Sequence, residues 1–146
     1  MKRRLLLVDD DLAVLLTLKA VLELHGFEVE TASSSKDAFS RLECGPYHMV
    51  ISDLRMETED AGLEVIRAAR RQPYSPATAL LTAYPPQDEP ITADGKVHPD
   101  SLLIKPLGTG DLVRQIEALL VRHADEQENR RRNPSPATHV PRRSVG

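Results

Sequence analysis

The sequence predicts an α/β fold, in which a parallel sheet of five strands carries helices on both faces. Short apolar runs that end in polar residues alternate with segments whose apolar residues recur at helical spacing. Such runs are typical of strands buried on both faces, and the alternation favours right-handed crossovers within one sheet. With 146 residues, of which 40% are hydrophobic, the chain is large enough for one domain with its own core.

Five apolar runs are predicted to be strands. They cover residues 4–8, 27–31, 48–52, 77–81 and 101–104. The third run contains Met49, Val50 and Ile51 and is followed at once by Asp53. Because ligands of open α/β sheets bind beyond the carboxyl ends of the strands, an acid at this position is a candidate functional residue.

Helices are predicted between the strands from apolar spacing and capping residues. Asp11 is expected to cap the first helix, and Gly26 to end it in the left-handed conformation. Ser34 and Asp37 resemble a capping box at the start of the second helix. The predicted helices cover residues 12–24, 34–43 and 63–71, and a last helix is indicated by an apolar stripe of Leu112, Val113, Ile116, Leu119 and Leu120.

The charge is distributed unevenly along the chain. Residues 1–121 carry 13 Lys and Arg against 19 Asp and Glu, whereas residues 122–146 carry six Arg against three acids. Because the body is acidic, we expect it not to bind DNA directly. From His123 the apolar periodicity stops and prolines appear, so residues 123–146 are predicted to be a disordered basic tail.

The composition and the lengths of the apolar runs also limit the classes of protein that the chain can belong to. A single cysteine, Cys44, excludes a disulfide framework and a metal site built from several cysteines. The apolar run near the N-terminus stops at Asp9, which is too short for a signal peptide, and no run is long enough to span a membrane. We therefore expect a cytoplasmic protein.

Polar groups follow four of the predicted strands and should meet at one edge of the sheet. They are Asp9 and Asp10, Asp53, Thr82 and Lys105. Clustered carboxylates repel one another unless a cation lies among them, and Mg²⁺ prefers such oxygen ligands. A hydroxyl and a lysine add contacts for phosphoryl oxygens, and a carboxylate can act as the acceptor nucleophile. Each group alone is common for structural reasons, so the prediction depends on their combination.

Four sequence segments, LLLVDDD, VISDLRM, LLTAY and LIKP, resemble those of the response-regulator receiver domain of two-component signalling. The resemblance covers residues 2 to about 122, so we expect a receiver domain in residues 1–122. It implies a flavodoxin-like, doubly wound sheet with the strand order 2-1-3-4-5. A single-domain receiver similar to the chemotaxis regulators is the expected type.

The resemblance also implies a magnesium site. Asp10 and Asp53 would ligate Mg²⁺ directly, together with the backbone carbonyl of Arg55. Asp9 would act mainly through a bound water.

The resemblance further implies roles in phosphoryl transfer. Asp53 would accept the phosphoryl group from a sensor histidine kinase or a histidine phosphotransfer protein. Lys105 would pair with a phosphoryl oxygen, and Thr82 would form a hydrogen bond to the phosphoryl group. Such a domain is not an enzyme for another substrate, since it catalyses only its own Mg²⁺-dependent phosphorylation and dephosphorylation.

The sequence departs from the family pattern in two regions. Met56 is followed by Glu57 where the family usually has proline, and the loop to Gly62 looks one residue longer. The added charge could weaken the Mg²⁺ geometry or attract more metal, and the sequence does not decide between these. Prolines between Thr82 and Lys105 predict an irregular fourth helix, and Leu102 replaces the aromatic residue of the family's switch.

Three functional hypotheses follow. The first is a phosphorylatable receiver that signals by docking to an unknown downstream protein, with no output domain expected after residue 122. The second is a degenerate receiver that binds proteins independently of phosphorylation. The third, a phosphotransferase or phosphatase with an aspartyl nucleophile, fits least because such enzymes carry the nucleophile on the first strand and need a cap domain.

Overall fold

The described structure, a computed structural model, comprises residues 2–82, 101–104 and 109–132. Its strands are β1 (Arg4–Val8), β2 (Glu28–Ala32), β3 (Met49–Asp53), β4 (Ala77–Thr82) and β5 (Ser101–Ile104). Its helices are α1 (Leu12–Leu24), α2 (Ser35–Glu43), α3 (Ala61–Arg70) and α4 (Thr109–Arg132). The predicted strands and helices therefore form, with most ends shifted by two residues or fewer.

The strands form one parallel sheet in the order β2-β1-β3-β4-β5, which confirms the predicted parallel arrangement and order. Val8 of β1 lies opposite Ser52 of β3, so the chain leaves both strands at the same level. Thr82 of β4 lies opposite Ile104 of β5. This register brings the carboxyl ends of the central strands together.

Two apolar layers enclose the sheet, because adjacent side chains of a strand point to opposite faces. Leu5 and Leu7 pack with residues of α1 and α4, whereas Leu6 and Val8 pack with residues of α2 and α3. The helices thus cover both faces, as doubly wound sheets require.

The predicted caps are present. Asp11 accepts hydrogen bonds from the backbone N–H groups of Ala13 and Val14 at 3.0 and 3.3 Å. The hydroxyl of Ser34 accepts from the N–H of Asp37 at 3.1 Å, and Gly26 has a φ of 95°. These local contacts set where α1 and α2 begin and where the chain turns toward β2.

The last helix extends further than predicted, so the prediction of disorder from residue 123 is wrong for residues 123–132. Nε2 of His123 lies 2.8 Å from the carbonyl oxygen of Ser75, which fixes the extension against the loop before β4. The guanidinium of Arg132 lies 3.2 Å from Glu128 one turn earlier, a spacing that stabilises helices. Apolar periodicity could not predict an extension held by polar contacts.

Some predictions fall outside the described residues. They concern the irregular helix between β4 and β5, the side chain of Leu102, Lys105 with its proline, and residues 133–146. Among the described helices, none is long and apolar enough to cross a membrane.

A polar network connects the start of β1 and the middle of β2 to the segment that precedes β3. One carboxylate oxygen of Glu30 lies 2.5 Å from Nη2 of Arg4, and the other accepts a 2.9 Å hydrogen bond from the hydroxyl of Tyr47. The guanidinium of Arg4 also lies 4.8 Å from the ring centroid of Tyr47. The hydroxyl of Tyr47, and then Arg4, hold the pKa of the Glu30 carboxyl below its ordinary value against the effect of partial burial.

Replacing Glu30 by Gln should reduce stability in a pH-dependent way. A carboxyl whose pKa is lowered by folding stabilises the protein above its unfolded pKa, and this stabilisation is lost as the pH falls through the folded pKa. We expect the difference in Tm between wild type and Glu30→Gln to be clear at about pH 7 and to shrink toward about pH 3.

Thermal melts across this pH range provide the measurement, with Glu28→Gln as a control. A carboxylate oxygen of Glu28 lies 3.5 Å from Nε of Arg4, but the Glu28 side chain is 54% exposed. The ion pair between Glu28 and Arg4 should therefore contribute less to stability than the pair between Glu30 and Arg4. If the difference in Tm between wild type and Glu30→Gln is the same at all pH values, the lowered pKa of the Glu30 carboxyl is contradicted.

Candidate functional site

Three aspartates meet at the carboxyl edge of β1 and β3. Asp9 and Asp10 directly follow β1, and Asp53 ends β3. Because Val8 pairs with Ser52, Asp9 comes level with Asp53 across the sheet. One carboxylate oxygen from each of the three aspartates lies within 4.8 Å of the others. The predicted clustering of these carboxylates is therefore present.

The three carboxylates differ in their surroundings. Asp9 is only 3% exposed, and one of its carboxylate oxygens accepts a 2.9 Å hydrogen bond from the N–H of Asp11. Asp10 is exposed, and Asp53 is half-buried. A ligand from solvent can therefore reach Asp10 and Asp53 more easily than Asp9.

The group has the chemistry of a site for a hard divalent cation. Carboxylate oxygens this close repel one another, and a cation among them converts the repulsion into attraction. Mg²⁺ is bound in proteins by one or two carboxylates, with water and phosphate oxygens completing its octahedron. The residues present therefore fit a magnesium ion, and Asp10 and Asp53 are the carboxylates that solvent reaches more easily.

Thr82 extends the site onto the next strand. It is the last residue of β4 and is 3% exposed, one position beyond Leu81, which lies opposite Asp53. Thr82 therefore lies at the same carboxyl edge of the sheet as the three aspartates. Lys105 lies outside the described residues, although it directly follows the last residue of β5 in the sequence.

Residues 5–117 match the response regulator receiver domain family. The chain belongs to this family. The match covers the central sheet, all three clustered aspartates and most of the helices, so it confirms the family that the sequence motifs indicate. Receiver domains are signalling modules of two-component response regulators, and they bind Mg²⁺ through acidic residues.

Two curated proteins illustrate the similarity. The chain is 31% identical over 126 residues to the transcriptional regulatory protein BasR of Escherichia coli, covering 86% of this chain and 56% of BasR. It is 32% identical to the CpxR homolog of Haemophilus influenzae, covering 86% of this chain and 54% of that protein. The chain thus spans about half the length of these regulators.

Solved receiver structures share the fold. A CheY-like receiver domain protein from Methanospirillum hungatei has a TM-score of 0.77 at 24% identity, over 86% of this chain and 99% of that one. The response regulator TrrA from Thermotoga maritima, solved in complex with Mg²⁺-BeF, has a TM-score of 0.68 at 28% identity, over 80% of this chain and 98% of that one. Each of the two alignments covers at least 80% of this chain.

A glycine at the end of the loop that follows Asp53 allows the chain to pack closely against the end of β3. The N–H of Gly62 donates a 2.8 Å hydrogen bond to the carbonyl oxygen of Leu54. A Cβ at position 62 would lie 2.1 Å from the carbonyl oxygen of Asp53 and 2.7 Å from Cα of Leu54. The start of α3 can therefore approach the end of β3 only without a side chain. The sequence marked Gly62 as the end of the loop but did not indicate this close contact.

Glu57 points to α2 in the structure. Its carboxylate accepts from the N–H of Ser35 at 3.0 Å and also from the hydroxyl of Ser35. The hydroxyl of Ser35 is the main cause that lowers the pKa of Glu57. The sequence left open whether Glu57 disturbs or recruits metal, and the structure places its carboxylate on the first residue of a helix instead.

Replacing Gly62 by Ala should destabilise the receiver. Because backbone atoms block the new Cβ, the start of α3 must move away from Asp53, and such overpacking costs about 1–3 kcal/mol. Thermal or urea unfolding measures the loss. Gly110→Ala is the matched control, since the nearest atom to its new Cβ is Nη1 of Arg114 at an ordinary 3.6 Å. That control should be neutral or stabilising because Ala favours helix. Equal stability of the two variants would contradict the close packing.

Proposed function

We propose that this receiver accepts a phosphoryl group on Asp53 from a sensor histidine kinase or a histidine phosphotransfer protein, within a two-component phosphorelay. It then signals through protein–protein interaction. The observation that carries the proposal is the convergence of Asp9, Asp10 and Asp53 within 4.8 Å at the sheet edge that also bears Thr82. A degenerate binding module that kept the acidic pocket would hold the same three carboxylates, so phosphorylation of Asp53 is the property that separates the two hypotheses.

The proposed transfer places Asp53 as the nucleophile. A carboxylate oxygen of Asp53 forms a bond to phosphorus while the bond from phosphorus to the donor histidine nitrogen breaks, and the nitrogen keeps the electron pair. The half-buried side chain of Asp53 is open enough to meet an imidazole from another protein. Later attack by water on the acyl phosphate releases inorganic phosphate and restores the carboxylate.

In this proposal Mg²⁺ would be held by the carboxylates of Asp10 and Asp53 and by the backbone carbonyl of Arg55. When bound, the ion supplies positive charge for the phosphoryl oxygens. Asp9 is buried and already accepts the N–H of Asp11, which supports its predicted role through water rather than as a direct ligand.

Thr82 and Lys105 would complete the site. The buried hydroxyl of Thr82 would form a hydrogen bond to a phosphoryl oxygen, and Lys105 would pair with another. Together with the cation they would surround the negative charge that arrives with the phosphoryl group, since phosphoryl transfer depends mainly on positioning and charge.

The output of the signal is proposed from the relatives. BasR and the CpxR homolog are transcriptional regulatory proteins, and this chain matches about half of each. We propose that the phosphorylated receiver acts on a protein partner, and that its acidic body does not contact DNA itself. The family assignment and the position of Asp53 on β3 argue against an aspartyl phosphatase, whose nucleophile would follow the first strand.

Phosphorylation should be detectable as a mass change. Incubation of the purified protein with Mg²⁺ and acetyl phosphate should add one phosphoryl group, because Asp53 is only half-buried and added Mg²⁺ offsets the negative charge of the neighbouring carboxylates. Intact-mass spectrometry is the measurement. Asp53→Asn should remain unlabelled, since an amide is a poor nucleophile. Equal labelling of wild type and Asp53→Asn would rule out Asp53 as the acceptor.

Magnesium affinity should depend on the three aspartates unequally. Asp10→Ala should weaken Mg²⁺ binding by more than about tenfold because it removes a direct ligand, and Asp9→Ala should weaken it less. Calorimetric titration with MgCl₂ measures both. Asp11→Asn is the matched control, because it removes a neighbouring charge while keeping a side chain that caps α1. If Asp10→Ala binds as tightly as the control, the cluster is not the metal site.

A further inference from the structure

The loop between β3 and α3 is connected to α2 by one side chain. Oε2 of Glu57 accepts the backbone N–H of Ser35 at 3.0 Å, Oε1 of Glu57 lies 3.4 Å from the same nitrogen, and the Ser35 hydroxyl donates to Oε2. These residues are 22 positions apart in sequence, so the contact crosses from one loop of the sheet edge to the next.

The first turn of α2 has a donor available for this contact. The first N–H groups of a helix have no partner within the helix. Ser34 uses its hydroxyl to accept the N–H of Asp37, which leaves the N–H of Ser35 to Glu57. A carboxylate at this position is favoured both by the hydrogen bonds and by the positive end of the helix dipole.

The loop carries the proposed carbonyl ligand of the metal. Its ends are fixed by the N–H of Leu54, which donates to the carbonyl oxygen of Leu81 at 3.1 Å, and by the contact of Gly62 with Leu54. Inside the loop, the N–H of Met56 donates to the carbonyl oxygen of Thr58 at 3.0 Å. Arg55 and Glu57 lie between these points, so the contact with Ser35 fixes the middle of the loop.

We propose that Glu57 is a positioning residue, which holds the β3–α3 loop on α2 so that the backbone carbonyl of Arg55 stays at the metal position. The inference depends on the proposed magnesium site. Glu57, which contacts Ser35, is not a member of the carboxylate group that could hold an ion, since within the described residues that group consists of Asp9, Asp10 and Asp53. The β3–α3 loop thus has an attachment to α2 of its own.

Two variants release the loop by different routes. Glu57→Gln weakens the contact by removing the charge. Ser35→Pro removes both donors without changing any charge, and proline is favoured at the first position of a helix. Ser34 has φ −156° and ψ 166°, the extended conformation that the residue before proline requires, so α2 should remain folded.

Each variant should weaken Mg²⁺ binding by about two- to fivefold, which corresponds to the interaction energy of a charged side chain with a helix N-terminus. Calorimetry on the full chain measures the affinity. The double variant Glu57→Gln/Ser35→Pro should bind Mg²⁺ with the same affinity as the single variant that binds it less tightly. The effects should not add, because both substitutions break the same contact. Glu59→Gln is the matched control, because it removes the same charge from the same loop. Hydrogen exchange of a peptide covering residues 54–61, without metal, should be faster in both single variants than in the control.

The outcomes separate this inference from the proposed function. If wild type binds Mg²⁺ and both single variants bind like Glu59→Gln, the positioning role is overturned and the metal site stands. Tighter binding by Ser35→Pro would also overturn it, because the released Glu57 would then act as a ligand. If wild type itself neither binds Mg²⁺ nor accepts a phosphoryl group, the proposed function fails, and the positioning role fails with it.

Discussion

The structure depends on the register between β1 and β3. Pairing of Val8 with Ser52 sets Asp9 level with Asp53, and Asp10 follows at the same edge. A slip of one residue would turn every side chain of a strand to the other face of the sheet. The apolar residues that fix this register therefore also fix the distances among the carboxylates. Folding holds together charges that repel one another, and the arrangement becomes favourable when a cation joins them.

Close backbone packing on the carboxyl side of β3 supports this arrangement. Gly62 lets the start of α3 contact the carbonyl of Asp53, and Glu57 connects the intervening loop to α2. Both contacts act on the backbone near Asp53 rather than on its side chain. At the opposite end of the sheet, Arg4, Glu30 and Tyr47 tie the first three strands together. Contacts therefore flank β3 on both its amino and its carboxyl side.

The sequence predicted features that depend on local patterns. The strands, the caps at Asp11 and Ser34, the left-handed Gly26 and the clustered aspartates all follow from short motifs and from parallel topology. It could not predict the individual hydrogen bonds that side chains form with distant residues. The extension of α4 depends on His123 meeting the carbonyl of Ser75, 48 positions away, and the partner of Glu57 lies 22 positions earlier. Polar contacts of this kind produce no periodic spacing of apolar residues, so the sequence pattern could not indicate them.

The central claim is that the three aspartates hold Mg²⁺ beside a phosphoryl group on Asp53. A crystal structure of the protein grown with Mg²⁺ and beryllium fluoride tests it directly, because beryllofluoride mimics an aspartyl phosphate. We expect the mimic on the Asp53 carboxylate and one ion ligated by Asp10, Asp53 and the carbonyl of Arg55, with Thr82 in hydrogen-bond contact. A structure from these conditions with an unmodified Asp53, or with the ion bound away from the three aspartates, would contradict the account.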